Sequence, residues 1–127
     1  MRIKLNSVLV DDQAKALKFY TEILGFVQKE DIPMGDFRWL TVVSPEAPDE
    51  GELLLEPNAN PAGKTFQEAM FEQGIALAAF SVSDIQGEYE RMKKLGVAFR
   101  MEPTKMGPAT IAVFEDTCGN LIQIYQV

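Results

Sequence analysis

Apolar and polar positions alternate along the first half of the chain in a way that predicts one strand, one helix and three more strands. Val8-Leu9-Val10 closes an apolar strand, and apolar residues then recur at helical spacing from Leu17 to Leu24. Asp12 is placed to cap that helix at its start, and Gly25 can adopt the left-handed conformation that ends it. The three following strands are predicted at residues 26–30, 37–43 and 53–56.

The second half shows the same order of patterns. An apolar strand is predicted at residues 76–82, and a new helix follows it. Either Ser83 or Asp84 can cap this helix; Ser83 would do so through a capping box with Gln86. Apolar residues again recur at helical spacing, and Gly96 ends the helix. The remaining strands are predicted at residues 97–100, 110–114 and 121–125.

The two halves are an internal repeat. Asp84 lies 72 positions after Asp12, and Tyr89 lies 72 positions after Leu17. We therefore expect a single domain over residues 1–127, made of a βαβββ module at 1–57 and a second at 75–127. A connector at 58–74 holds an extra helix, predicted over residues 65–73, whose buried side would carry Phe66, Met70 and Phe71.

The composition narrows the possible functions. The chain has 127 residues, 46% of them hydrophobic and 24% charged, which is an ordinary globular balance. It has no apolar run near the ~20 residues that span a bilayer, and its start lacks the features of a signal peptide, so we expect no membrane partner and a cytoplasmic location. A net charge of −7 with scattered basic residues argues against binding nucleic acid.

Five segments resemble the vicinal oxygen chelate superfamily, which includes glyoxalase I, bleomycin-resistance proteins and extradiol dioxygenases. They are Val8-Leu9-Val10-Asp11-Asp12, the stretch 19–26, Phe80-Ser81-Val82-Ser83-Asp84, Leu95-Gly96-Val97 and Asp116-x-x-Gly119-Asn120-Leu121-Ile122. The resemblance implies an α+β fold in which the two βαβββ modules pair into one cupped, eight-stranded mixed sheet. It also implies a ligand on the concave side and a homodimer.

Metal-dependent members of that superfamily place His, or sometimes Gln, on the first strand of each module and Glu or His on the last. The matching first-strand positions here are Leu5 and Leu77, while Gln123 and, in a looser register, Glu56 match on the last strands. Leucine offers no lone pair to a cation, and the chain contains no histidine. We therefore expect no metal and no other cofactor, and we exclude the iron dioxygenase reaction unless another protein supplies ligands.

The concave side is expected to hold the ligand-binding residues. Trp39 could stack a planar ligand, although a single strand Trp more often belongs to a core or dimer interface. Phe37 and Arg38 are further aromatic and cationic candidates beside it. Because side chains alternate between the two sides of a strand, further small, apolar and polar residues are expected on the concave side with Trp39. The full predicted set is Leu5, Ser7, Trp39, Glu56, Leu77, Gln123 and Tyr125.

Three functions remain open at this point. The favoured one is binding or sequestration of a small, partly apolar organic molecule without a metal. The alternative is a glyoxalase- or lyase-like enzyme in which Glu56 acts as general base beside a weak divalent metal site. The third is a dimeric domain with no ligand. Cys118 could act as a nucleophile only on an exposed, activated turn; Glu115 and Asp116 before it disfavour the thiolate, so we expect an ordinary turn residue.

Overall fold

The computed structural model describes all 127 residues, and the chain divides into two compact units, Met1–Gln67 and Glu68–Val127. Each unit contains one module of the predicted repeat, with the strand, helix, three-strand order intact. The α+β class and the two βαβββ modules are thus confirmed. Hydrogen bonding groups the strands into two mixed four-stranded sheets, one in each module.

The first module begins with strand β1 (Leu5–Val10) and helix α1 (Gln13–Lys18). Asp12 caps α1, because its Oδ1 accepts a hydrogen bond from the Lys15 backbone amide at 3.0 Å. The helix continues into a π-helical turn, and the chain then passes through Gly25 with a φ of 86°. The elements of this module are β1 (Leu5–Val10), α1 (Gln13–Lys18), the π-helical turn (Phe19–Ile23), β2 (Val27–Met34), β3 (Phe37–Val43) and β4 (Glu52–Pro57).

The strands of this module lie in the order β1-β4-β3-β2, with β1 parallel to β4 and the other neighbours antiparallel. Most of the core lies on the side of the sheet that packs against the helical segment, where apolar side chains alternate with residues of the other side. Its buried members include Val8, Val10, Leu40, Val42 and Leu55 from the strands and Ala16, Phe19 and Tyr20 from the helical segment.

The second module repeats this plan. Asp84, and not the Ser83–Gln86 capping box, caps its helix, since Asp84 Oδ1 accepts from the Gly87 amide at 3.0 Å. Gly96 ends the helical stretch with a φ of 89°. The elements are β5 (Ala78–Ser81), α3 (Ile85–Lys94), β6 (Phe99–Met106), β7 (Ala109–Glu115) and β8 (Leu121–Gln126).

Its strands lie in the order β5-β8-β7-β6, again with one parallel pair, β5 with β8. The strands β7 and β8 pair without interruption from Thr110 opposite Gln126 to Glu115 opposite Leu121. Two of the strands, β2 and β6, are longer than predicted because they continue through Pro33 and Pro103. Both lie at a sheet edge, where a missing N–H disrupts no ladder on the outer side.

The connecting helix differs from its prediction. Helix α2 spans Pro61–Glu72, four residues earlier at its start than expected. Phe66 is exposed, whereas Gln67 is buried and donates from Nε2 to the Leu9 carbonyl oxygen at 2.9 Å. The predicted buried side was therefore wrong at Phe66, because a buried amide with satisfied hydrogen bonds occupies the inner position. None of the three helices combines the length and the apolar character needed to cross a membrane.

Candidate functional site

The sheet of the first module has one side that carries no part of α1, and we call it the open face. Residues paired across neighbouring strands point to the same side of a sheet. Leu5, Ser7 and Leu9 of β1 pair with alternate residues of β4, and Thr41 of β3 pairs with Leu54. The open face therefore contains Leu5, Ser7, Leu9, Glu52, Leu54, Glu56, Phe37, Trp39, Thr41, Val43, Val27, Glu30, Ile32 and Met34.

Four of the predicted site residues, Leu5, Ser7, Trp39 and Glu56, thus share one surface of the first module. Trp39 and Glu56 are partly exposed, and Leu5 and Ser7 are exposed. The register of the β1–β4 pair places Leu5 and Ser7 on the same side of the sheet.

The open face leaves many large apolar side chains in contact with solvent. Single exposed apolar residues are normal on a protein surface, but a group on one sheet face indicates a binding surface. Five such residues, with exposed fractions between 43% and 58%, are Leu5, Val27, Ile32, Met34 and Phe37.

The polar groups of the open face fall into two classes. Thr41 is fully buried; its hydroxyl donates to Glu52 Oε1 at 2.9 Å and accepts from the Glu30 amide at 3.2 Å. Glu52 also forms an ion pair with Lys29 at 3.3 Å. In contrast, the side chains of Ser7, Glu30 and Glu56 make no hydrogen bond or ion pair within the protein. These three remain available to a ligand.

Sequence reasoning missed Thr41 and Glu52 as members of this surface. Glu52 lies opposite Leu5, the position at which metal-using relatives are expected to carry histidine. Its position on the open face follows only from the register between β1 and β4. The continuous apolar run Leu53-Leu54-Leu55 does not show which residues of β4 point to this face.

One end of the open face is closed by the start of α2. Gly63 lies so near that a Cβ at this position would be 3.1 Å from Leu9 Cδ1. The Gln67 amide group fixes α2 there through Leu9 and through Asn58, whose Nδ2 donates to Gln67 Oε1 at 2.8 Å. Because Leu9 pairs with Glu56, the closed end borders the unpaired carboxylate.

The remaining predicted site residues lie in the second module. Ala79 pairs with Gln123 and Ser81 with Tyr125, and Leu77 precedes Ala79 by two residues. Leu77, Gln123 and Tyr125 therefore share the side of this sheet that faces away from α3. The neighbours Val113 and Leu121 on that side are buried, as Thr41, Val43 and Leu54 are on the open face of the first module.

The register of the two modules corrects one predicted equivalence. Ser7 and Ala79 occupy the same position in the repeat, so Gln123 corresponds to Leu54. Glu56 corresponds instead to Tyr125. The looser match between Glu56 and Gln123 was wrong by two residues, because the last strand of the first module has no polar pattern that fixes its register.

Arg38 does not contribute its charge to the open face. It neighbours Trp39, so its side chain lies on the opposite side, where it donates to both oxygens of Asp31 at 3.0 and 2.8 Å. These hydrogen bonds lower the pKa of Asp31 below its ordinary value of 3.8 and raise the pKa of Arg38.

The β7–β8 turn is more buried than its sequence indicates. Cys118 is buried and not exposed, which removes the surface thiol that nucleophilic chemistry would need. Asp116 is also buried; its oxygens accept from the Cys118 amide at 2.8 Å, the Asn120 amide at 3.0 Å and Asn120 Nδ2 at 2.7 Å. This turn is a structural element of the second module.

The side chains do not fit the metal site of metal-dependent relatives. No three His, Cys, Asp or Glu side chains come together in a group that could hold an ion. The first-strand positions carry Leu5 and Leu77, and Glu52, the carboxylate next to Leu5, is already bound to Thr41 and Lys29. A zinc or iron centre needs at least three donor groups in one place.

Residues 2–124 match the Glyoxalase/Bleomycin resistance protein/Dioxygenase superfamily, and the chain belongs to this family. YurT of Bacillus subtilis (strain 168) is 60% identical over 126 residues, which cover 99% of each chain. The crystal structure of UcmS2 superimposes with a TM-score of 0.84 at 33% identity, covering 98% of this chain and 97% of that one. TnmS3 from Streptomyces sp. CB03234, described as an antibiotic binding protein, gives a TM-score of 0.76 at 27% identity, with coverage of 99% and 95%.

Proposed function

We propose that this protein binds a small, partly apolar organic molecule on the open face of its first module, without chemical conversion. The observation that carries the proposal is the group of large apolar side chains exposed on that face, from Leu5 on β1 to Met34 on β2. Burying such surface against a ligand stabilises a complex by about 25 cal/mol for each Å² removed from water.

The polar groups on the same face define the kind of ligand. The carboxylate of Glu56 has no partner in the protein, so it can accept a hydrogen bond from an N–H or cationic group of a ligand. Trp39 offers a flat apolar ring on the same side of the sheet. The net charge of −7 favours the approach of a cation. A planar aromatic molecule that carries an amine or a similar donor suits these groups.

The similarity to TnmS3 supports binding over catalysis, because that protein is described as an antibiotic binding protein. Sequestration of an organic compound is the corresponding role that we propose for this chain. Leu77, Gln123 and Tyr125 of the second module are proposed as additional ligand contacts, and the homodimer and the cytoplasmic location belong to the same proposal.

A second candidate is an enzyme that uses Glu56 as general base. The observation that favours it is the same carboxylate, which lacks a partner. This reaction would need a second group to stabilise developing charge on a substrate, and the first module provides no cation on its open face next to Glu56. Binding is therefore the function that the geometry supports best.

Isothermal titration calorimetry with two aromatic probes tests the proposal. Proflavine is a planar cation with amine donors, whereas 8-anilino-1-naphthalenesulfonate is an aromatic anion of similar apolar character. We expect proflavine to bind the protein at least about tenfold more tightly, since a charge-assisted hydrogen bond contributes about 1.5–3 kcal/mol. Absence of binding by both probes would contradict the proposal, and stoichiometric uptake of Mn²⁺ or Zn²⁺ with turnover would favour the enzyme.

A further inference from the structure

The strands β3 and β4 of the first module pair over only part of their length. Their register contains Thr41 opposite Leu54 and Val42 opposite Leu53, and it ends there, although β3 begins at Phe37 and β4 continues to Pro57. If the register continued, Trp39 would face Glu56 and Arg38 would face Pro57. We call the unpaired opening between these two strands the notch; Trp39 and Glu56 border it on the open face.

The side chain of Gln13 lies between β3 and β4 at the notch, in the plane of the sheet. Its Nε2 donates to the Arg38 carbonyl oxygen at 2.7 Å and to the Leu55 carbonyl oxygen at 2.8 Å, and its Oε1 accepts from the Arg38 amide at 3.0 Å. Gln13 is the first residue of α1 and is buried. Its carboxamide thus exchanges hydrogen bonds with Arg38 as a residue on a neighbouring strand would.

Pro57 explains why β4 cannot supply this partner itself. The amides of Glu52 and Asn58 donate to carbonyl groups of Lys4 and Val10 on β1, so the odd-numbered residues of β4 direct their backbone groups toward β3. The residue that would face Arg38 is proline, which has no N–H to donate. Without Gln13, the Arg38 carbonyl oxygen would lack its donor from the protein.

The second module provides the comparison. Ile85 stands 72 positions after Gln13, and Thr110 stands 72 positions after Arg38. There the first helical residue is apolar, and Thr110 pairs directly with Gln126 of β8. The ladder of β7 and β8 is complete there, and the side chain of Gln126 accepts a hydrogen bond from the Ile85 amide at 2.8 Å instead of bridging the two strands.

We propose that Gln13 is a positioning residue that holds β3 and β4 apart, so that Trp39 and Glu56 flank a gap on the open face, above the Gln13 carboxamide, where the edge of a flat ligand can lie. The part of this proposal that assigns a ligand to the notch rests on the proposed function. The part that assigns the spacing of β3 and β4 to Gln13 does not. Closing the ladder would bring Trp39 and Glu56 to the spacing of an ordinary cross-strand pair, about 4.5–5.5 Å between Cβ atoms, and leave no room for a ligand.

The first experiment needs no ligand. In Gln13→Met, which keeps the length of the side chain but removes its hydrogen bonds, the Arg38 amide loses its acceptor. We expect its hydrogen exchange to accelerate at least about tenfold, since protection follows the local opening equilibrium. The chain has one tryptophan, so a shift of its emission reports the notch directly. Ile85→Met, at the matching position of the second module, should change neither signal.

The second experiment separates positioning from stability. Pro57→Ala restores a backbone N–H opposite Arg38, so in the Gln13→Met background it should allow the ladder to close. We expect the Gln13→Met, Pro57→Ala double variant to recover most of the thermal stability that Gln13→Met loses. Its affinity for proflavine should stay at least about tenfold below that of the wild type, because the notch is closed.

The outcomes separate the two proposals. Unchanged Arg38 exchange in Gln13→Met, or a double variant that regains proflavine affinity together with its stability, would overturn the role of Gln13. A wild-type protein that binds neither probe overturns the proposed function alone, since the exchange and emission measurements are made without a ligand. If Gln13→Met does not fold, Pro57→Ala in the wild-type background still tests the spacing: Gln13 should keep the Arg38 amide protected and the Trp39 emission unchanged.

Discussion

The two modules share an element order, and they differ most where their third and fourth strands meet. In the second module β7 and β8 pair from end to end. In the first module the pairing of β3 and β4 stops at Thr41, and the open face exposes large apolar residues such as Phe37. A repeat supplies the same scaffold twice, so function is to be sought where the two copies differ.

The two modules also use their buried polar groups differently. In the second module the buried carboxylate of Asp116 holds the β7–β8 turn through hydrogen bonds to Cys118 and Asn120, which are neighbours in sequence. The first module uses a buried amide, Gln13, to bridge two strands that do not pair. Asp116 thus closes the turn between two fully paired strands, whereas Gln13 replaces backbone hydrogen bonds that β3 and β4 do not make.

The largest expected effect is on the closed turn of the second module. Asp116→Ala removes an acceptor of three hydrogen bonds inside the protein and should lower the free energy of unfolding by about 2–4 kcal/mol. Urea denaturation measures the change. Glu115→Ala is the matched control, because its ion pair with Arg100 at 3.6 Å is partly exposed and should contribute less than about 1 kcal/mol. Equal effects of the two substitutions would show that the turn does not depend on Asp116.

The next prediction exchanges the distinguishing residue. Ile85→Gln places an amide at the matching position of the second module, where the complete ladder leaves no free backbone partner between Thr110 and Gln126. We expect a loss of about 1–3 kcal/mol in the free energy of unfolding, from a buried polar group without hydrogen bonds. A stable Ile85→Gln protein with a rapidly exchanging Thr110 amide would instead mean that the amide alone opens a ladder.

A smaller effect is expected on ligand affinity. Glu56→Gln keeps the size of the side chain but removes its charge, so the affinity for proflavine should fall about tenfold, while that for 8-anilino-1-naphthalenesulfonate should not fall. Tyr125→Phe removes the polar group at the corresponding position of the second module and should change the proflavine affinity less than about twofold. Calorimetry of both variants shows which module contributes more to the proflavine affinity. A larger loss of affinity in Tyr125→Phe would place the main contact in the second module.

The smallest effect concerns the exposed pair on the other side of the first sheet. Because Arg38 lowers the pKa of Asp31, the pair stabilises the folded state above the ordinary pKa of 3.8, and this contribution is lost as the pH falls through the lowered value. The effect on stability should be slight and should weaken with salt, since both groups are solvated. An NMR titration should find Asp31 below 3.8 in the wild type and nearer to it in Arg38→Met. An unchanged value in the variant would contradict this cause.

The apolar pattern was sufficient to predict the scaffold. Leu17 to Leu24 marked the first helix, Asp12 and Gly25 marked its ends, and the repeat placed the second module. These features follow from local geometry, which neighbouring residues in sequence determine.

The parts that sequence could not predict depend on register and on partners distant in the chain. Gln13 looked like an ordinary helical residue, because its three hydrogen bonds reach strands 25 and 42 positions away. Arg38 next to Trp39 suggested a shared site, but alternation sends the two side chains to opposite sides. Phe66 is exposed and Gln67 is buried beside it, because an amide with two partners in the protein can replace an apolar side chain in an inner position.

The most direct test of the central claim is an amide NMR titration of the wild-type protein with proflavine. We expect the largest chemical-shift changes on the strands of the open face, around Ser7, Trp39 and Glu56, together with quenching of the single tryptophan. The amides of α3 in the second module should change little. A saturable titration whose largest changes fall on α1 or α3, with the tryptophan emission unaffected, would contradict the claim that this face is the binding site.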